Sequence, residues 1–165
     1  MNKEHVLFAC QAGVCVFKFV GDLRHTDVQG MDSYVQSLFK PLKRCNAVSV
    51  DLSQTRYMDS TCLGLLAMIA KYSIAADSGK PALVCNNEDM LQLLRSMCLD
   101  QVFVMVKRSR EQLNFQGLEG DTSDDMQARL IYQAHKALSD LSDSNKAMFQ
   151  PVVDLMAEEL KNSRK

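Results

Sequence analysis

The densest chemistry in this 165-residue chain lies in seven consecutive residues, Met58-Asp59-Ser60-Thr61-Cys62-Leu63-Gly64. A carboxylate, two hydroxyls and a thiol stand directly before an apolar run containing Leu65, Leu66, Met68, Ile69 and Tyr72. Asp or Ser in that place is a helix N-cap signal, so these side chains sit at a first turn whose backbone N–H groups lack intrahelical partners. A phosphate on Ser60 or Thr61 would meet those donors and the favourable end of the helix dipole. It would also put nearly two negative charges on one exposed corner, enough to block a partner docking there. A thiol at a helix N-terminus can be activated as a nucleophile, but no motif sets a His or Asn beside Cys62, which leaves it a packed thiol. His25, in the loop after the second strand, reads as a surface residue rather than a general base. On physical grounds alone, Asp59 or Ser60 as a plain cap is the simplest assignment.

Other reactive residues are scattered. Cys10, Cys15, Cys45, Cys62, Cys85 and Cys98 form no CxxC pair and do not cluster with His5, His25 or His135, so neither a zinc site nor a redox motif is expected, and no cofactor. Five of the six lie in apolar runs and Cys45 at a strand entry, which predicts reduced thiols packed as small hydrophobes.

The elements that must position the segment follow from the hydrophobic pattern. Residues 5–10 and 14–20 are short, β-branched and aromatic, and flank Gln11-Ala12-Gly13, predicting an antiparallel hairpin. Val28, Met31, Val35, Leu38 and Leu42 then recur at helical spacing, a stripe on a helix running to about Pro41. Residues 46–52 predict a third strand with Val48, Val50 and Leu52 on one face, then a short loop into the reactive segment. Its helix should end near Asp77-Ser78-Gly79, with Gly79 as C-cap candidate. A strand at 82–85, a helix at 88–97 with Met90, Leu93, Leu94 and Met97 on one face, and a strand at 102–106 complete the pattern. Strand-helix-strand repetition calls for right-handed crossovers and parallel pairing. The expected fold class is α/β, a mixed sheet with one antiparallel hairpin strand, complete by about residue 110.

Beyond it, Gln116 to Asp125 is Gly-, Ser- and acid-rich and reads as a linker ending at a helix N-terminus. A helix from near Ser123 carries Met126, Leu130, Ala134, Ala137 and Leu141. A second, after Ser142-Asp143-Ser144, carries Phe149, Val152, Val153, Met156 and Leu160, and Pro151 should start or kink it. Two such helices cannot bury their stripes alone, so the hairpin is expected to fold back on the α/β domain or to serve as a partner-binding surface. The expected organisation is a domain at 1–110, a linker at 111–125 and a helical extension at 126–165.

Composition restricts the function classes. With 47% hydrophobic and 24% charged residues, the chain has globular character. Nineteen Lys and Arg against twenty Asp and Glu give a net charge of -1, with no global field for a polyanion, so nucleic acid is not an expected partner. No apolar run approaches the ~20 residues needed to cross a bilayer, and the N-terminal apolar stretch is too short for a signal peptide. A cytoplasmic protein with no membrane insertion is expected.

The stretch VDLSQTRYMDSTCLGLL, residues 50–66, resembles the signature of STAS domains, the bacterial anti-sigma factor antagonists, whose usual form is D-S-S-G-L-G after a strand ending in D-L. Gly21-Asp22-Leu23 matches the family's G-x-L element, and the element order over residues 1–110 agrees. The resemblance implies that Ser60 is the phospho-acceptor, with Asp59 as its acidic neighbour, and that Leu63 and Gly64 open the helix where Gly permits close approach of another backbone. It implies a serine kinase/anti-sigma factor, or a response regulator with kinase activity, that binds the unmodified form and leaves the phosphorylated one, and a PP2C-type phosphatase that reverses the change. Thr61 replaces the second Ser, Cys62 replaces a Gly and adds bulk, and Arg24 follows G-x-L, where it would pair with Asp59 or a phosphate on Ser60 if the loops meet, or stand as an exposed arginine. The expected partner-facing set is Asp22, Arg24, Asp59, Ser60, Thr61, Cys62, Leu63 and Gly64. The expected function is a non-enzymatic switch whose C-terminal hairpin modulates the partnership or contacts a second effector. The alternative is a STAS subunit of a transport assembly such as a lipid-trafficking ABC transporter. A Cys62 enzyme ranks last.

Overall fold

Alternating valine and phenylalanine, with a two-residue turn at Ala12-Gly13 in left-handed conformation, fold the N-terminus into the hairpin β1 (Val6–Gln11) and β2 (Val14–Leu23). The computed structural model describes residues 5–40, 45–107, 116–118 and 123–163. A 3₁₀ turn at His25–Val28 leads into α1 (Met31–Leu38), which buries Met31, Val35 and Leu38. Leu42, expected on the same stripe, lies outside the described residues.

β3 (Ala47–Met58) leads directly into α2 (Ser60–Ala75), followed by β4 (Ala82–Val84), α3 (Glu88–Ser96), a 3₁₀ turn at Leu99–Gln101 and β5 (Val104–Val106). The pairings β2–β3, β3–β4 and β4–β5 are parallel, as the crossover pattern predicts. Two expectations are corrected. β3 does not stop at Leu52 before a loop: Ser53 to Met58 continue the ladder along β2, as far as Leu23 opposite Met58. The extension passes two register shifts. At the first, the buried Thr55 hydroxyl donates to the Phe19 carbonyl at 2.8 Å; at the second, Gly21 sits at φ +82°, which a residue with a Cβ adopts only under strain. The sheet is also not complete by residue 110. Inside the expected linker, β6 (Gln116–Gly117) pairs antiparallel with β1, giving six strands in the order β5-β4-β3-β2-β1-β6.

The C-terminal segment forms α4 (Asp124–Ser139), capped by Ser123, and α5 (Asp143–Asn162), capped by Ser142. Pro151 does not start α5. The helix begins eight residues earlier and runs through it, with Pro151 on the solvent side, where the missing N–H burdens no buried acceptor. α4 lies against α2, and Leu130, Ala134, Ala137, Leu138 and Phe149 belong to the same hydrophobic cluster as Phe17, Val50, Leu66 and Leu94. The hairpin thus folds back on the α/β domain. Asn145, fully buried, fastens its foot: its Nδ2 donates to Met97 O at 2.8 Å and to Leu138 O at 3.0 Å.

Cysteine pairing differs from the expected six thiols. Cys10 and Cys15 face each other across the β1–β2 hairpin and form a disulfide, while Cys45, Cys62, Cys85 and Cys98 are free. The hairpin register makes the pair directly opposite neighbours, which spacing in sequence does not reveal. Among the described residues, no helix is long and apolar enough to cross a membrane, and no group of three His, Cys, Asp or Glu side chains gathers as a metal site.

Candidate functional site

The G-x-L segment and the Asp-Ser-Thr-Cys segment lie more than thirty residues apart in sequence, and the parallel pairing of β2 with β3 brings their ends together. Asp59 N–H donates to the Leu23 carbonyl at 3.2 Å, so the end of β2 holds the entry to α2. Asp59 is the N-cap. Its Oδ1 accepts from Cys62 N–H at 3.0 Å, and its Oδ2 from His25 N–H at 2.7 Å, with His25 Nδ1 at 3.5 Å. One carboxylate therefore joins the helix start to the loop after β2. His25, read from sequence as a surface residue, is half-buried and belongs to this junction.

Ser60 is the first residue of α2 and is half-buried. Its Oγ lies 2.9 Å from Nε2 of His135, 75 positions away on α4. The other ring nitrogen, Nδ1, lies 2.6 Å from the Ile131 carbonyl, which can only accept. In the neutral ring Nδ1 therefore carries the proton, Nε2 is the acceptor, and the Ser60 hydroxyl donates to it. His135 is 6% exposed, and its ring meets Phe149 of α5 edge-on at 5.9 Å between centroids. No motif marks His135 in the sequence. The available signal is its place beside Ala134, on the inner side of an amphipathic helix.

One turn farther along α2, Gly64 meets α4 without a gap: a Cβ built on it would collide with the Ala134 backbone carbonyl. Glycine is required at that crossing. Thr61, Cys62, Leu63 and Gly64 are all buried, so the corner expected to be exposed is covered, and of the seven-residue segment Asp59 and Ser60 keep partial access to solvent. α2 is apolar on nearly every side from Cys62 to Ala70, which fits a helix clasped between the sheet and α4. Farther along the seam the packing opens into an apolar cavity of about 370 Å³ lined by Ala67, Lys71, Ile74, Val102, Ala137 and Leu141, among others.

The remaining expected residues lie nearby but apart. Asp22 is exposed and pairs with exposed Arg56, Nε to Oδ1 at 3.3 Å. Arg24 is exposed, its guanidinium 5.2 Å from the centre of the Tyr57 ring; His25 and Cys62 occupy the Asp59 carboxylate instead. The Cys62 thiol is fully buried, and that burial, reinforced by the Asp59 carboxylate, pushes its pKa far above the ordinary thiol value. A thiol held protonated is no nucleophile, so the helix N-terminus does not activate it.

No curated protein matches the chain. The family model for the STAS domain matches residues 6–113, the span from β1 to the segment just before β6. With most of its length matched in this way, the chain belongs to the STAS-domain family.

Proposed function

We propose that this chain is a non-enzymatic, cytoplasmic signalling switch of the anti-sigma antagonist type. Unmodified Ser60 permits binding to a serine kinase/anti-sigma factor or a kinase-bearing response regulator; phosphorylated Ser60 releases it, and a PP2C-type phosphatase restores it. The observation that carries this reading is the placement of the Ser60 hydroxyl. It stands at the first turn of α2, beside the Asp59 cap, where β2 and β3 end together. Backbone N–H groups at such a turn favour an anion, and a new charge of nearly -2 on a chain of net charge -1 changes the local field sharply.

The test is isolation of the chain from its native cell, with intact mass measured for wild type and Ser60→Ala and bound proteins identified for wild type and Ser60→Asp. A phosphate present on wild type and missing from Ser60→Ala, with a kinase-class partner lost from Ser60→Asp, is the expected result. Phosphate retained by Ser60→Ala would overturn it. Recovery of an ATPase or permease subunit in place of a kinase would replace it with the transport-assembly reading.

A further inference from the structure

We propose that the α4–α5 hairpin is a cis-acting cover for the Ser60 surface, and that a docked hairpin and a phosphate on Ser60 are mutually exclusive. The inference rests on Ser60 as the modified residue and adds what controls access to it.

Three independent contacts carry it. At the first turn of α2, the Ser60 hydroxyl donates to His135 Nε2 at 2.9 Å, and the ring is fixed in that orientation by Ile131 O at 2.6 Å on its other nitrogen. One turn on, Gly64 touches the Ala134 backbone with no room for even a methyl group. At the foot, Asn145 bonds at once to Met97 of the α/β domain and Leu138 of α4, so the hairpin is also tied to the domain by a contact that does not involve α2. Because that tie runs to Met97 and not to Ser60, the Ser60 contact can break while it holds.

Phosphorylation removes the donor and changes the sign of the contact. Phosphoryl transfer from a nucleoside triphosphate replaces the Ser60 O–H bond by O–P, with the nucleoside diphosphate and the hydroxyl proton leaving, and the three added oxygens of the dianion only accept. They would face Nε2, itself an acceptor in the neutral ring, across a gap filled by one hydrogen bond. A phosphoryl group is also far bulkier than the hydrogen it replaces, so retention would require α4 to withdraw, yet the Gly64–Ala134 contact fixes α4 at close approach only one turn away. The same geometry works in reverse: with the hairpin docked, the Ser60 hydroxyl is engaged by His135, whose ring is backed by Phe149, so an enzyme must displace that contact to use Ser60 Oγ. Opening must precede modification, and modification must hold the chain open.

Phosphoserine installed co-translationally in place of Ser60 tests this in the full chain without any kinase, so its failure is separate from failure of the switch reading. Amide hydrogen exchange is followed in three regions: β2 and β3, α2, and α4 with α5. The expected result is exchange in α4 and the outer half of α5 on the order of tenfold faster than in the unmodified chain, with β2 and β3 unchanged. Ala134→Leu should produce the same pattern without phosphate, because the larger side chain cannot lie on Gly64. Equal protection of α4 in the phosphorylated and unmodified chains would overturn the proposal. So would loss of sheet protection together with α4, since the hairpin would then not be a separable cover.

Discussion

Asp59 does two tasks with one carboxylate, and the cost of losing it should exceed that of an ordinary cap. One oxygen accepts from Cys62 N–H within the first turn, as helix caps do; the other accepts from His25 N–H, in a different loop. Truncation to alanine leaves two backbone donors at a half-buried junction. Asp59→Ala should destabilise the protein by about 2–3 kcal/mol, above the ~1 kcal/mol typical of a cap alone. Urea unfolding monitored by circular dichroism checks this, and a loss below about 0.5 kcal/mol would mean that water replaces both bonds. Asp59 was legible in sequence as a cap because the signal is local: an acidic residue directly before an apolar run. Its bond to His25, 34 positions away, was not, because it depends on where β2 ends relative to β3. The Ser60–His135 contact escaped for the same reason at greater range. A histidine on an amphipathic helix carries no mark of the residue it will face.

At the scale of elements, periodicity located both C-terminal helices, yet it missed the far half of β3. Ser53, Gln54, Arg56 and Tyr57 are exposed and break the apolar alternation, so they read as a loop. They stay in the sheet because β2 offers a parallel edge and Thr55 satisfies the carbonyl that the register shift leaves open. Without that extension Leu23 and Asp59 would not meet, and the cap would be far from His25. The hairpin shows the complementary case. Its apolar stripe announces that it must pack somewhere, while the choice of α2 follows from the apolar surface that helix carries on nearly every side between Cys62 and Ala70. Asn145 joins the two parts. Asn145→Ala removes two hydrogen bonds and takes from the Met97 carbonyl its side-chain donor, while Leu138 O keeps backbone donors at the end of α4, so it should cost about 2 kcal/mol. Amide exchange should then accelerate in α5 first. Unchanged protection in α5 would show that apolar packing alone holds the hairpin.

For the whole molecule, three of the free thiols set an alkaline limit. Burial raises the pKa of Cys62, Cys85 and Cys45 above the ordinary thiol value. Below that value the thiols are protonated in both folded and unfolded chains, and their contribution is fully present. Above it the unfolded chain releases protons that the folded chain keeps, so stability falls as pH rises. Denaturation midpoints should therefore be flat with respect to these groups up to about pH 8, then decline above about pH 9 by at most ~1.4 kcal/mol per pH unit for each buried thiol. Cys62→Ala should flatten part of the decline; an identical slope in that variant would show that other groups set it.

The 75-residue separation of Ser60 and His135 also has a meaning in time. A chain is made from its N-terminus, and at about 5–20 residues per second roughly 4–15 s pass between the appearance of the serine and that of the histidine. Throughout that interval each nascent chain presents α2 without the helix that will overlie it. An enzyme or partner working at the ribosome would therefore meet a different molecule from one arriving after release, and the order of synthesis, rather than any signal, would decide which chains are modified before they can close.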